Sequence, residues 1–217
     1  MEYLEIFSAC VQKYQTKLDV DSLASFCYEV KRRDSKGVSL SNLGGWQSGN
    51  IIRNPHSEFV KLLSEIQTAA NAYHNKLQFK KEYKQKITNI WININGKGHA
   101  NEFHIHSGAA ISGTFYITDS NFPIKFKHPY EEISHYYWNE KVIDKFNNSN
   151  AGQWNIKPEK NTLLMFPPWL YHKVVMNNDD IDRISIAFNT EFERDPYNQM
   201  RQGIQNFQEC PLCQQKV

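Results

Sequence analysis

The chain has little of what marks the specialised protein classes. No apolar run approaches the ~18 residues that a membrane span needs, so no transmembrane segment is expected. Cysteine is scarce, four in 217 residues, which excludes a disulfide-stapled scaffold. Net charge is nearly absent: 25 Lys+Arg against 23 Asp+Glu leaves a formal +2, which gives no special attraction to nucleic acid or membrane surfaces. There is no internal repeat and no low-complexity segment, and collagen and coiled-coil patterns are missing. The opening MEYLEIFSAC has neither a basic n-region nor an apolar h-region, so no signal peptide is expected and the protein reads as cytoplasmic. A hydrophobic share of 40% with 13% aromatics is too apolar for a disordered chain. What remains is one domain large enough to close around an internal site.

Texture divides the chain near residue 85. Before that point, Phe59, Leu62, Leu63, Ile66, Ala69, Ala70 and Tyr73 recur at i, i+3, i+4, i+7 spacing, which predicts an amphipathic helix over 56–73, after Pro55. A second helix is expected over 18–32, and the turn-rich stretch 41–48 reads as a loop. After residue 85, short β-branched and aromatic runs alternate with Gly, Pro, Asn and Asp clusters. Strands are predicted at 87–95, 101–106, 111–118, 123–127, 152–157, 162–166, 172–176 and 182–190. Strands without intervening helices predict a mainly β fold, a double-sheet jelly roll (double-stranded β-helix) behind an N-terminal helical region. The expected organisation is a single domain: helical support over 1–85, jelly-roll core over 86–190, C-terminal tail over 191–217. Residues 128–150 read as a long insert between strands.

The remaining cysteines carry little. Cys10 and Cys27 fall in helix-like stretches and read as core residues. Cys210-Pro-Leu-Cys213 is a CxxC that could form half of a zinc site, but no second CxxC or HxxxH faces it. A reduced, frayed tail is the simpler reading.

Three of the eight histidines sit where chemistry is plausible. His104 and His106 lie two apart in a predicted strand, so strand alternation points both imidazoles to one face. His172 opens a later strand that a jelly roll can bring alongside. Imidazole nitrogens suit Fe, Zn, Cu or Ni, and two from one strand plus one from another is the skeleton of a facial triad with open positions. Half-buried structural histidines would give the same HxH. What favours a site is Arg183, which shares a strand face with Ser185. An inward arginine in a barrel calls for an anion, and Arg with Ser can hold a carboxylate. His56, His74, His99 and His128 carry no assignment.

HxH, a distant His and a downstream Arg-x-Ser resemble the non-haem iron, 2-oxoglutarate-dependent dioxygenase superfamily. More narrowly, the chain resembles a group of uncharacterised bacterial and phage 2-oxoglutarate/Fe(II) oxygenases. The segments that carry this are Gly45-Trp-Gln-Ser48, Trp91-Ile-Asn-Ile-Asn95, Asn101-Glu-Phe-His-Ile-His106, Ser112-Gly-Thr-Phe-Tyr116, Phe166-Pro-Pro-Trp-Leu-Tyr-His172 and Arg183-Ile-Ser-Ile-Ala-Phe-Asn189. The resemblance implies Fe(II) held by His104, His106 and His172, and 2-oxoglutarate held by Arg183 and Ser185, with Asn93, Asn95 and Tyr116 as further cosubstrate contacts. Trp46, Gln47 and Trp138 are candidates for the substrate face. The departure is His106, where the superfamily has Asp or Glu. His106 can coordinate, can stand behind the ligands, or can yield to a carboxylate from Glu102 or Asp119.

The expected activity is hydroxylation of a C–H bond in a small-molecule, amino-acid or peptide substrate, releasing succinate and CO2. Two competing readings stand beside it: a cupin-like three-histidine metalloenzyme without 2-oxoglutarate, and a non-catalytic binding barrel. Near-neutral charge argues against a duplex nucleic-acid partner, although Lys76, Lys80, Lys81, Lys84 and Lys86 form a local basic run. A homodimer is left open.

Overall fold

The computed structural model describes residues 1–194. Cys210 and Cys213, the C-terminal CxxC read above as a reduced tail with half of a zinc site as the alternative, lie outside the described residues.

In chain order the elements are β1 (Gln12–Gln15), α1 (Val20–Arg33), β2 (Asn42–Leu43), β3 (Trp46–Gln47), α2 (Ser57–Lys76), β4 (Tyr83–Asn95), β5 (Ala100–His104), β6 (Ile111–Tyr116), β7 (Ile124–Lys127), α3 (Glu131–Tyr137), β8 (Gln153–Ile156), β9 (Thr162–Phe166), β10 (His172–Val174) and β11 (Arg183–Arg194). Every predicted strand after residue 85 has an observed counterpart, and both predicted helices are present. The strands form a six-stranded sheet, β1-β9-β6-β11-β4-β3, facing a five-stranded sheet, β2-β5-β10-β7-β8. Neighbours pair antiparallel throughout. This is the jelly roll that the strand pattern predicted.

Helices α1 and α2 cover the outer face of the larger sheet. Helix α1 starts where the Asp19 carboxylate accepts from the Ser22 amide at 3.0 Å, and it buries Val20, Leu23, Phe26 and Cys27. Helix α2 buries Phe59, Leu62, Ile66, Ala69, Ala70 and Tyr73 against the sheet. The facing strands supply Ile90, Ile92 and Ile94 from β4 and Ile184, Ile186 and Phe188 from β11. Each such side chain removed from water contributes about 1.5–3 kcal/mol. A second, smaller cluster between the two sheets joins Tyr116, Ile124, Phe126, Leu164, Phe166 and Leu170. Strands β6 and β9 are buried along their whole length, because the sheet is covered on both faces.

One alternation then decides what faces inward. On β4, even residues 90, 92 and 94 enter the helix-side core, so Asn89, Trp91, Asn93 and Asn95 face the other sheet. On β11 the same rule sends Arg183, Ser185, Ala187 and Asn189 inward. The register aligns Arg183 with Asn95, Ser185 with Asn93 and Asn189 with Asn89. An irregularity follows at once: Thr190 pairs with Ile87, leaving Thr88 as an extra residue in β4. The Asn50 side chain spans it, donating to the Thr88 carbonyl at 3.1 Å and accepting from the Ile90 amide at 3.3 Å.

The region before residue 85 is less purely helical than its periodicity predicted. It contributes β1, β2 and β3, each of which pairs with a strand of the later region. β2 and β3, two residues each, carry too few positions to show a period, and all three exist because a partner strand completes them. The 41–48 stretch, expected as loop, holds two of them.

Gly113, in the middle of β6, packs where no side chain fits. A Cβ there would lie 2.5 Å from the Leu164 carbonyl oxygen and collide with the Phe188 ring. Gly113→Ala is expected to cost about 1–3 kcal/mol through overpacking, read as a lower urea midpoint at unchanged denaturant slope.

Candidate metal centre and its cavity

The two sheets enclose a cavity of about 520 Å³. Its depth is graded along β4: Asn89 is exposed, Trp91 and Asn93 are half-buried, and Asn95 is 2% exposed. Arg183 and Tyr116, at the same end as Asn95, are 3% and 4% exposed. The floor is therefore the Arg183 end and the open end lies toward Asn89.

Three histidines meet over this cavity. His104 ends β5 and His172 opens β10, and the two are direct cross-strand partners. His106 lies beyond the end of β5, where its amide donates to the Pro168 carbonyl at 2.9 Å instead of continuing the ladder. One ring nitrogen from each of His104, His106 and His172 lies within 4.8 Å of the others. Nδ1 of each ring has a hydrogen-bond partner outside the cluster. His104 Nδ1 sits 2.7 Å from the Glu102 carbonyl, and His172 Nδ1 sits 2.8 Å from the Leu170 carbonyl. His106 Nδ1 is 2.7 Å from Asn189 Oδ1 and 2.9 Å from Ser112 Oγ. Carbonyl oxygens accept only, so Nδ1 carries the proton and Nε2 keeps its lone pair. Three Nε2 lone pairs are thus left for the cluster, with their tautomers set.

Burial keeps these rings uncharged. It lowers the pKa of His104, of His106 to about 4 and of His172 to about 3, and the neighbouring rings oppose protonation of the last two further. Among the described residues no carboxylate joins the group. Asp119 is turned away and accepts from the Lys160 amide at 2.7 Å. Glu102 is exposed at the cavity rim, and its part in the cluster is played by its backbone carbonyl.

At the floor, Arg183 is a buried cation with one arm free. Its Nη1 donates to the carbonyls of Phe122 at 3.2 Å and Val175 at 3.1 Å, while the buried Nη2 has no partner. Desolvation pulls its pKa down to about 10, which still leaves it positive at neutral pH. Burial raises the Tyr116 phenol above its ordinary range, with the Arg183 charge opposing. Ser185 and Asn93 line the wall above and, with Tyr116, form one cross-strand row. Asn95 lines the floor with its amide committed to Asn101 Oδ1 at 2.9 Å, so part of its role is to tie β4 to β5.

Not every expected residue reaches the cavity. Trp46 and Gln47 are neighbours in a strand and point to opposite faces: Gln47 lines the cavity, whereas Trp46 packs into the helix-side core and donates from Nε1 to the Asp34 carbonyl at 2.8 Å. Trp46 is therefore corrected to a core residue. Trp138 caps α3, in the insert, is 56% exposed and does not line the cavity. Sequence reasoning missed Asn189 and Trp91. Both share strand parity with residues already singled out, Asn189 with Arg183 and Trp91 with Asn93, and that parity was the available signal.

Residues 89–189 match the family model described as "Putative 2OG-Fe(II) oxygenase". No curated protein is similar to the chain in sequence. Solved structures with the same fold include the non-heme alpha-ketoglutarate-dependent carbocyclase SnoK from nogalamycin biosynthesis (TM-score 0.62, 10% identity, covering 87% of this chain and 83% of that one). A Trichoplax adhaerens prolyl hydroxylase, in complex with a hypoxia inducible factor peptide fragment, is similar at TM-score 0.58 and 13% identity, over 86% and 84% of the two chains. The epimerase SnoN, in complex with Fe3+, alpha ketoglutarate and nogalamycin RO, is similar at TM-score 0.55 and 12% identity, over 86% and 81%.

The lowered histidine pKa values give the metal-free protein a signed pH dependence. Imidazoles in the unfolded chain titrate near 6.5, while burial lowers the native ones, His106 to about 4 and His172 to about 3. The unfolded chain therefore binds more protons once the pH drops below 6.5. Stability is full above that value and declines toward pH 4, by up to about 1.4 kcal/mol per pH unit for each of His106 and His172. Urea midpoints between pH 7 and 5 check this. The decline is expected to be shallower in His106→Gln, and a flat profile for both proteins contradicts it.

Proposed function

We infer, for a chain whose residues 89–189 match the 2-oxoglutarate/Fe(II) oxygenase family and whose jelly roll is shared with solved enzymes of that chemistry, that it is itself an Fe(II)- and 2-oxoglutarate-dependent oxygenase, a hydroxylase of C–H bonds. The observation that carries this reading is the pairing, within one cavity, of three converging imidazole nitrogens with a buried arginine arm that lacks a partner. The donor set suits Fe(II): neutral imidazoles are good ligands for it, and hydrogen bonds from Nδ1 hold each ring in the ligating tautomer. The free Arg183 Nη2 suits the far carboxylate of 2-oxoglutarate, a charge-assisted bond that relieves its own desolvation.

In this reading His104, His106 and His172 hold the iron. Arg183 binds the far carboxylate at the floor, with Ser185, Tyr116 and Asn93 as neighbouring hydrogen-bonding groups and Asn95 bracing the floor. Iron and 2-oxoglutarate, when bound, supply the oxidising chemistry: O2 is consumed, succinate and CO2 are released, and one oxygen atom enters a substrate C–H bond. The chain contributes position and charge state. Arg183 stays protonated, the imidazoles stay neutral, and the Phe166 and Phe126 rings pack beside His172. A cosubstrate seated on the floor leaves the open end, toward Asn89 and Gln47, for a small-molecule, amino-acid or peptide substrate. Nucleic acid is disfavoured, since Lys86 is paired with Glu193 at 2.6 Å and Lys80 with Glu82 at 3.7 Å within the basic run. A cupin-like reading leaves the Arg183 arm without a purpose, and a vestigial barrel leaves the three tautomers without one.

The test is calorimetric titration of 2-oxoglutarate onto the full-length protein loaded with Mn(II). Wild type is expected to bind one equivalent. Arg183→Ala is expected to lose about 100-fold or more in affinity, the scale of a broken buried charge pair. No binding to wild type, or undiminished binding to the variant, overturns the cosubstrate assignment.

A further inference from the structure

His106 differs from the other two histidines in what orients it. His104 and His172 lean on backbone carbonyls two residues before them, Glu102 and Leu170. A backbone carbonyl can only accept, so those tautomers follow from the fold. His106 leans on side chains: Asn189 Oδ1 at 2.7 Å and Ser112 Oγ at 2.9 Å, with Ser112 Oγ donating to Asn189 Oδ1 at 2.8 Å. A carboxamide has an accepting end and a donating end. If its NH2 faced His106, Nδ1 would have to accept, Nε2 would carry the proton, and the ring could not ligate.

The surroundings hold Asn189 in place. Ser112 is its direct cross-strand partner and is fully buried, so the hydroxyl meets the same oxygen that His106 uses. The next residue, Thr190, anchors the strand: its hydroxyl donates to Gln85 Oε1 at 2.7 Å and accepts from the Ile111 amide at 3.2 Å. The β-bulge falls between these two residues, so Asn189 keeps the cavity face while Thr190 is held in the buried network.

We propose that Asn189 is the positioning residue of the metal site, selecting through Oδ1, with Ser112, the His106 tautomer whose Nε2 faces His104 and His172. The proposal rests on the reading of His106 as a ligand. It makes one of the three ligands depend on a side chain that sits far from it in sequence, while the other two depend on the fold alone.

The experiment is titration of Co(II) into the metal-free full-length protein, followed by visible d–d absorption and by calorimetry, with melting of each metal-free variant as the folding control. Asn189→Ala is expected to weaken Co(II) binding about 10–100-fold and to alter the absorption bands, as loss of a ligand-orienting partner does. Asn189→Asp keeps an accepting oxygen at the same place and is expected to restore both affinity and spectrum. Ser112→Ala leaves the Asn189 acceptor and is expected to change binding less than Asn189→Ala; should the latter fail to fold, Asn189→Leu, which keeps the bulk without the acceptor, takes its place and is expected to weaken binding as strongly. His106→Ala separates the two levels. If it weakens Co(II) binding while Asn189→Ala binds with wild-type affinity and spectrum, the positioning role is overturned and the ligand reading stands. If His106→Ala binds Co(II) as wild type does, the ligand reading falls and the proposal with it.

Discussion

The register between β4 and β11 is the constraint on which the site depends. With side chains alternating at a period of two, one residue of slip would exchange the faces of a strand. It would drive Arg183, Ser185 and Asn189 into the helix-side core and expose Ile184, Ile186 and Phe188 to the cavity. The apolar rows on both strands forbid that slip, since three isoleucines of β4 and the Ile184, Ile186 and Phe188 row of β11 are buried together under α2. The site is thus positioned by groups that never touch it. Polar residues line the cavity because their neighbours in sequence hold the other face.

The electrostatics follow from that burial. The cavity wall carries one deeply buried charge, Arg183, at the end opposite the exposed Asn89. The imidazoles between are kept neutral by the same desolvation that costs Arg183 part of its basicity. Neutral rings with converging lone pairs invite a cation, and a lone guanidinium with a free arm invites an anion. A metal chelated by a dicarboxylate satisfies both demands at once, which a metal alone or an anion alone does not.

Much of this could be read along the chain. The helices showed in the spacing of Phe59, Leu62, Ile66 and Tyr73, and the later strands in β-branched runs broken by turn residues. His104, His172 and Arg183 stood out because histidine and arginine on the inward face of a barrel need a reason. Other features stayed hidden for physical causes. Strands β2 and β3 are too short to have a period and, like β1, exist through the strands they pair with. Trp46 and Gln47 were read together as a substrate pair, although adjacent strand residues cannot share a face. The question left at His106 needed geometry: only the fold shows that Asp119 bonds the Lys160 amide and that Glu102 stands exposed at the rim.

Sequence alone therefore determined the two long helices, the later strands, the jelly-roll class and which side chains were candidates for chemistry, because periodicity and side-chain chemistry are local properties. Tertiary structure decided which of those residues meet, that one Arg183 arm remains free, and that Asn189 rather than a backbone carbonyl faces His106. Those are consequences of long-range register and desolvation, and a linear pattern holds neither the partner strand nor the water that folding removes.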